Sequence, residues 1–276
     1  MADILTAPFQ YSFMINAFLI AAIISIPTAL LSCFLVLKGW SLMGDAISHA
    51  VLPGIIISYL LHIPLLIGAF CSGMVCAIAS GFLSENSRVK QDTAMGIVFS
   101  GMFGFGIVLY TKISTEVHLD HILFGNILGI SVEDLIISFL ISSSVTILVT
   151  IKRRDFLLHT FDPIQARSVG IPVRLMHYGF LAMVSITIVA TLSAVGIILS
   201  IGLLIAPGAI AFLSTHRFDQ MLFIATIISL LSSFLGIYIS FYIDSAPAPT
   251  IILLLSACFI LMLIGTNRKV KKHKRD

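Results

Sequence analysis

From Tyr178 to Thr215 the sequence carries no charged side chain. Drawn as one α-helix, that run would extend more than roughly 50 Å at 1.5 Å per residue, whereas the hydrocarbon core of a bilayer is about 30 Å thick. One crossing cannot hold it. Nor can a water-soluble core, because 58% of the 276 residues are hydrophobic and only 11% are charged, where soluble domains average about 25% charged. A soluble enzyme is excluded, and so is a disordered chain, which needs the opposite composition. The chain reads as an all-α polytopic membrane protein whose long run divides near Ser193 to Gly196.

Apolar stretches long enough to cross as helices, about 20 residues each, lie at about 13–37, 41–61, 64–83, 93–111, 132–151, 220–242 and 249–266. The divided run 178–213 adds two, giving nine spans, against eight if it crosses once. Charge decides between them. With nine spans and the tail NRKVKKHKRD in the cytoplasm, the N-terminus is outside. Lys38, Arg88, Lys90, Lys152, Arg153, Arg154, Arg167, Arg174, Arg217 and the six basic residues of the tail then face inward, fifteen of the sixteen, with Lys112 outside. With eight spans, eight of these would face outward. The positive-inside rule selects nine. The net charge of +3 is therefore a topology signal and points to no nucleic-acid partner.

Residues 1–266 form a single transmembrane domain followed by the basic cytoplasmic tail 267–276, with no soluble domain of useful size. The first ten residues, MADILTAPFQ, lack the basic start of a cleaved signal peptide, so the first apolar segment is expected to stay. Cys33, Cys71, Cys76 and Cys258 all lie in apolar stretches and read as small membrane-buried residues. Trp40, beside Lys38, fits an interfacial anchor. The outer stretch 113–131 is half apolar but too short to cross, as a re-entrant helix would be.

Between Lys38 and Glu85 the only formal charge is Asp45, with His49 one helical turn later on the same face. An ionisable group inside a span costs about 2.5–3.5 kcal/mol at the centre and is a functional-site hypothesis by default. Carboxylate plus imidazole suits manganese, Fe(II) or zinc, whereas copper(I) prefers sulfur ligands. Two ligands are too few, but a two-fold dimer would bring together two of each. The alternative is a helix-start acid favoured by the dipole, beside a packed histidine. The outer cluster Glu116, His118, Asp120 and His121 could attract cations or simply form a solvated loop.

Within the segment 152–177, Asp162 can cap a helix, Pro163 can occupy its first position, and Gly170 can take the left-handed position after its end. The two turns between them are something a partner could grip, or an ordinary loop helix. The sequence holds no P-loop and no H-E-x-x-H motif. Any ATP hydrolysis must come from another chain.

The blocks GWSLMGDAISHAVLPG, LFGNILGIS, FDPIQARSVGI, VGIILSIGLLIAPGAIAFL and FYIDSAPAPTIILL together resemble the membrane permease of the zinc/manganese/iron family of ATP-binding-cassette metal importers. The resemblance runs from about residue 13 to 266, and SENSRVKQDTAMGIVFSGMFGFGIVLY extends it toward the chelated-iron/manganese branch of Gram-negative inner membranes. It implies a homodimer, cytoplasmic ATPase subunits, and a periplasmic or extracellular metal-binding protein. Asp45 and His49 would line the metal path. Asp162, Pro163, Gln165, Ala166 and Gly170 would belong to the coupling helix that contacts the ATPase. Phe124, Gly125, Asn126 and Gly129 would belong to a re-entrant segment at the pathway. The implied protein is a transport subunit with no permanent cofactor, importing manganese or iron in preference to zinc by alternating access. The alternative is an ATP-independent secondary transporter or channel for the same ions.

Overall fold

The computed structural model describes residues 6–112 and 127–273. Its described elements are helical: a 3₁₀ turn at Ala7–Gln10, then α1 (Ser12–Lys38), α2 (Met43–Ala50), α3 (Leu52–Leu60), α4 (Leu65–Asn86) and α5 (Gln91–Lys112). There follow α6 (Val132–Ile151), α7 (Arg153–Phe161), α8 (Pro163–Ser168), α9 (Val173–Ser214), α10 (Phe218–Ile243) and α11 (Pro247–His273). Among the described residues, eight helices are long and apolar enough to cross a membrane, counting α2 and α3 together as Met43–Leu60.

The longest of these, α9, is two helices. Gly196 sits at φ 81°, ψ 174°, inside what is otherwise 42 helical residues. That conformation is essentially restricted to glycine, and it falls where bilayer thickness demands a break. The chain doubles back there. Phe180, early in α9, and Phe218, just past its end, both meet Phe34, with ring centroids 6.1 and 5.0 Å away. A straight helix would put residues so far apart in sequence more than roughly 50 Å apart. The two halves of α9 make two passes, so nine helical passes are present among the described residues.

Helix α1 and both halves of α9 form the buried centre, while α5, α6 and α11 leave most of their apolar surface outward. The second half of α9 runs through Pro207, which has no amide to give the helix, and α1 adds bonds beside it: the Gly208 amide donates to Ser32 Oγ at 2.9 Å, and the Ser32 hydroxyl donates to the Ile205 carbonyl at 3.1 Å. Such bonding helps a proline to be tolerated where no water can reach the backbone.

One pole gathers chain ends rich in basic residues. The Trp40 indole donates to Gln91 Oε1, Phe34 meets Phe156, and Arg153 pairs with Asp219 at 3.2 Å. At the opposite pole Phe9 stacks on Phe18, which meets Phe234 at a tilt, and Ala194 and Val195 share a buried cluster with Met14 and Ala17. The cation-bearing loops thus share an end, as the charge pattern requires. Trp40 differs from the expected lipid anchor: it is 7% exposed, with the Lys38 ammonium 3.7 Å from its ring centroid. Packing among helix ends takes it out of the lipid. The cysteines also divide: all are free, Cys33 and Cys76 are buried, Cys258 is half-buried, and Cys71 is exposed.

Candidate functional site

The span expected at 41–61 is present as one membrane-length stretch, Met43–Leu60, divided into α2 and α3 at Val51, whose backbone stays helical at φ −68°, ψ −27°, with Pro53 in the first turn of α3. Helix α2 is thereby short, and Asp45 lies in its first turn. Every residue of α2 is buried except Asp45 and His49. Their side chains retain about a third of their exposure, 33% and 28%, with His49 Nε2 3.3 Å from Asp45 Oδ1. The pair occupies the one open stripe of an enclosed helix. Asp45 also satisfies the simpler reading of a helix-start acid, but that reading gives no account of the stripe.

The carboxylate fixes the orientation of the imidazole, and two rings of α5 frame it: Phe99 stacks at 5.9 Å and Phe103 meets it edge-on at 5.3 Å. His49 Nδ1 is buried and has no hydrogen-bond partner among the described residues. A buried ring nitrogen without a partner is uncommon, and it leaves the imidazole with unused ligand capacity. Phe99 and Phe103 were not foreseen, because nothing local marks which phenylalanines of an apolar helix will face a histidine. Among the described residues no group of three or more His, Cys, Asp and Glu comes together. One chain therefore offers two side chains of ligand type here, short of the four a tetrahedral ion takes.

The segment 152–177 holds two helices where one was expected. Helix α8 has the predicted punctuation. Asp162 Oδ1 accepts from the amides of Ile164 and Gln165 at 3.0 and 2.8 Å, and Pro163 opens the helix. Gly170, at φ 88°, closes it: its amide reaches the Arg167 carbonyl at 3.1 Å, and that of Ile171 reaches Ala166 at 3.0 Å. These are the paired bonds of a Schellman ending. Gln165 is exposed and Ile164 is 84% exposed, flanked by Phe161, Val169 and Leu175, each about two-thirds exposed. Ala166 is fully buried within the chain. Its methyl seats the helix and leaves nothing for a partner to touch.

Phe124, Gly125 and Asn126, with the outer cluster Glu116, His118, Asp120 and His121, lie outside the described residues. Gly129 is described, in a turn between the buried Ile127 and Ile130 just before α6.

A nine-pass helical bundle with an ionisable pair inside it, and a capped helix presented at its basic pole, defines a membrane transport protein. The comparisons agree. The chain belongs to the ABC 3 transport family, whose model matches residues 10–266. It is 53% identical over 273 residues to the chelated iron transport system membrane protein YfeD of Yersinia pestis, covering 99% of this chain and 92% of that one. It is 44% identical over 264 residues to the manganese transport system membrane protein MntB of Synechocystis, covering 96% and 86%. Among solved structures, PsaBC from Streptococcus pneumoniae in complex with Fab superposes with a TM-score of 0.84 at 33% identity, over 95% of each chain.

Proposed function

We propose that this chain is the permease subunit of an ATP-driven importer of divalent metal ions, working by alternating access in a bacterial inner membrane. The observation that carries the reading is the Asp45–His49 pair, 3.3 Å apart on the one open stripe of a buried helix. Two copies related by a two-fold axis would join two carboxylates and two imidazoles into a four-ligand oxygen and nitrogen site. Manganese or iron is favoured over zinc, because relatives of high identity are named for chelated iron and manganese transport.

A partner outside delivers the ion, and the dimer holds it at Asp45 and His49. Closure of cytoplasmic ATPase subunits then moves α8 and opens the path inward. The hold must be weak, since a site that binds tightly does not release. Asp162, Pro163 and Gly170 keep α8 rigid enough to transmit that push, and Gln165 with Ile164 forms the touching face. The segment Phe124, Gly125, Asn126 and Gly129 is assigned to the outer end of the path. The basic tail and the basic pole lie in the cytoplasm.

The test is uptake of radiolabelled manganese, Fe(II) and zinc into vesicles holding the chain reconstituted with its ATPase subunit. ATP-dependent accumulation of manganese or iron is expected, falling more than tenfold in Asp45→Ala/His49→Ala. Equal uptake by the variant removes the site assignment. Equal uptake without ATP replaces the importer with a passive path.

A further inference from the structure

His49 has two unlike ends. Its Nε2 lies 3.3 Å from Asp45 Oδ1, on the stripe of α2 that stays open. Its Nδ1 is buried and has no hydrogen-bond partner among the described residues, so an ion entering along that stripe reaches Nε2 and not Nδ1. The rings of Phe99 and Phe103, both half-buried on α5, flank the imidazole at 5.9 and 5.3 Å. Neither carries an acceptor oxygen, and a phenyl face is only a weak acceptor for an N–H.

A cation held at Nε2 takes the lone pair of that nitrogen, and a neutral imidazole then carries its proton on Nδ1. Histidines that bind metal almost always donate that N–H to a carboxylate, a carbonyl or a water, and losing such a partner costs about 10–100-fold in affinity. At His49 hydrocarbon stands where that partner belongs. A resident metal centre built this way would be defective, whereas a carrier that must let go of its ion gains from it. Rings that served packing alone would fill the same space and leave affinity untouched.

We propose, on the reading of Asp45 and His49 as the ion site, that Phe99 and Phe103 are positioning residues. They keep His49 Nδ1 away from any acceptor, so that the divalent ion is held loosely and released. The Asp45 carboxylate supplies the charge that draws the ion in, and the two rings set how long it stays. Positions 99 and 103 lie one turn apart on the same face of α5, which lets both rings act on one imidazole.

The test compares Phe99→Gln and Phe103→Gln, which bring an amide oxygen to the wall around the ring, with Phe99→Leu and Phe103→Leu, which keep that wall apolar. Binding of radiolabelled manganese to the full-length chain in nanodiscs is measured at equilibrium without nucleotide. ATP-driven uptake is measured in vesicles that also hold the ATPase subunit. At least one glutamine variant is expected to bind manganese about tenfold more tightly and to transport it at a lower maximal rate. The leucine variants are expected to bind no more tightly than wild type. A damaged fold lowers affinity and rate together, so opposed changes separate positioning from packing. Where a glutamine variant does not purify as a single species, Phe99→Tyr or Phe103→Tyr keeps the ring, adds an oxygen and gives the same reading. No tightening at either position, or equal tightening by leucine, overturns the inference. His49→Ala tells the two levels apart. Unchanged manganese binding in that variant removes the ion site itself, whereas lost binding there with no tightening by glutamine removes only the role of the two rings.

Discussion

Ser32 and Gly208, on helices that meet only in the folded bundle, share a hydrogen bond of 2.9 Å, and the same hydroxyl donates to Ile205 at 3.1 Å. Ser32 is fully buried. Ser32→Ala removes both bonds from buried backbone beside a proline, at a cost of about 1–3 kcal/mol. Thermal unfolding in nanodiscs measures this. In a Pro207→Ala background the second half of α9 can close its own ladder, so the penalty for Ser32→Ala should shrink. An unchanged penalty in that background would show that Ser32 acts through packing alone.

Gly196 predicts a sharper loss. At φ 81°, ψ 174° any other residue is strained, at a cost of order 1–3 kcal/mol, and the turn it forms sets which way every later helix runs. Gly196→Ala is expected to lower the yield of monodisperse protein and its unfolding temperature. Gly179→Ala, where nothing lies within 4 Å of an added methyl, is expected to be neutral or mildly stabilising. Equal behaviour of the two variants would mean that the turn tolerates a side chain.

These two positions also mark how far the sequence could be read. The break near Gly196 was legible because a bilayer imposes a length, and Asp45 with His49 because charge is rare in a span. Asp162, Pro163 and Gly170 were legible because caps are local chemistry. What escaped depends on tertiary approach. The division of the span expected at 41–61 into α2 and α3 at Val51 went unread, although Pro53 was a usable signal. Trp40 looked like a lipid anchor, since nothing near it shows that Gln91 will arrive against its indole. His159 and His177 come from helices that meet only after folding, and α7, written RRDFLLHTF, reads as a polar loop.

The exposed apolar cluster around α8 gives a prediction that separates docking from folding. Ile164 is 84% exposed, so Ile164→Glu should leave the unfolding free energy of the isolated chain within about 0.5 kcal/mol of wild type. If α8 docks an ATPase subunit as proposed, the same change should abolish its co-purification, because a charge would be buried without a partner at the contact. Asp162→Ala should behave differently. Losing the cap costs about 1 kcal/mol of helix stability, so binding should weaken without disappearing. Full ATPase co-purification with Ile164→Glu would place the docking surface elsewhere.

The pH dependence of stability should carry the signature of His159. Burial first, then the charges of Lys38 and His177, hold its pKa down to about 4, against an ordinary 6.5 for imidazole. Between those values the unfolded chain binds a proton that the folded chain refuses, so stability is full above the window and falls as pH drops through it. His159→Gln should flatten that part of the profile, read as the difference in unfolding temperature between variant and wild type from about pH 7.5 down to 4.5. Contributions from groups remote from His159 are common to both proteins and cancel in the difference. Identical profiles for variant and wild type would mean that water reaches the ring and that burial does not hold its pKa down.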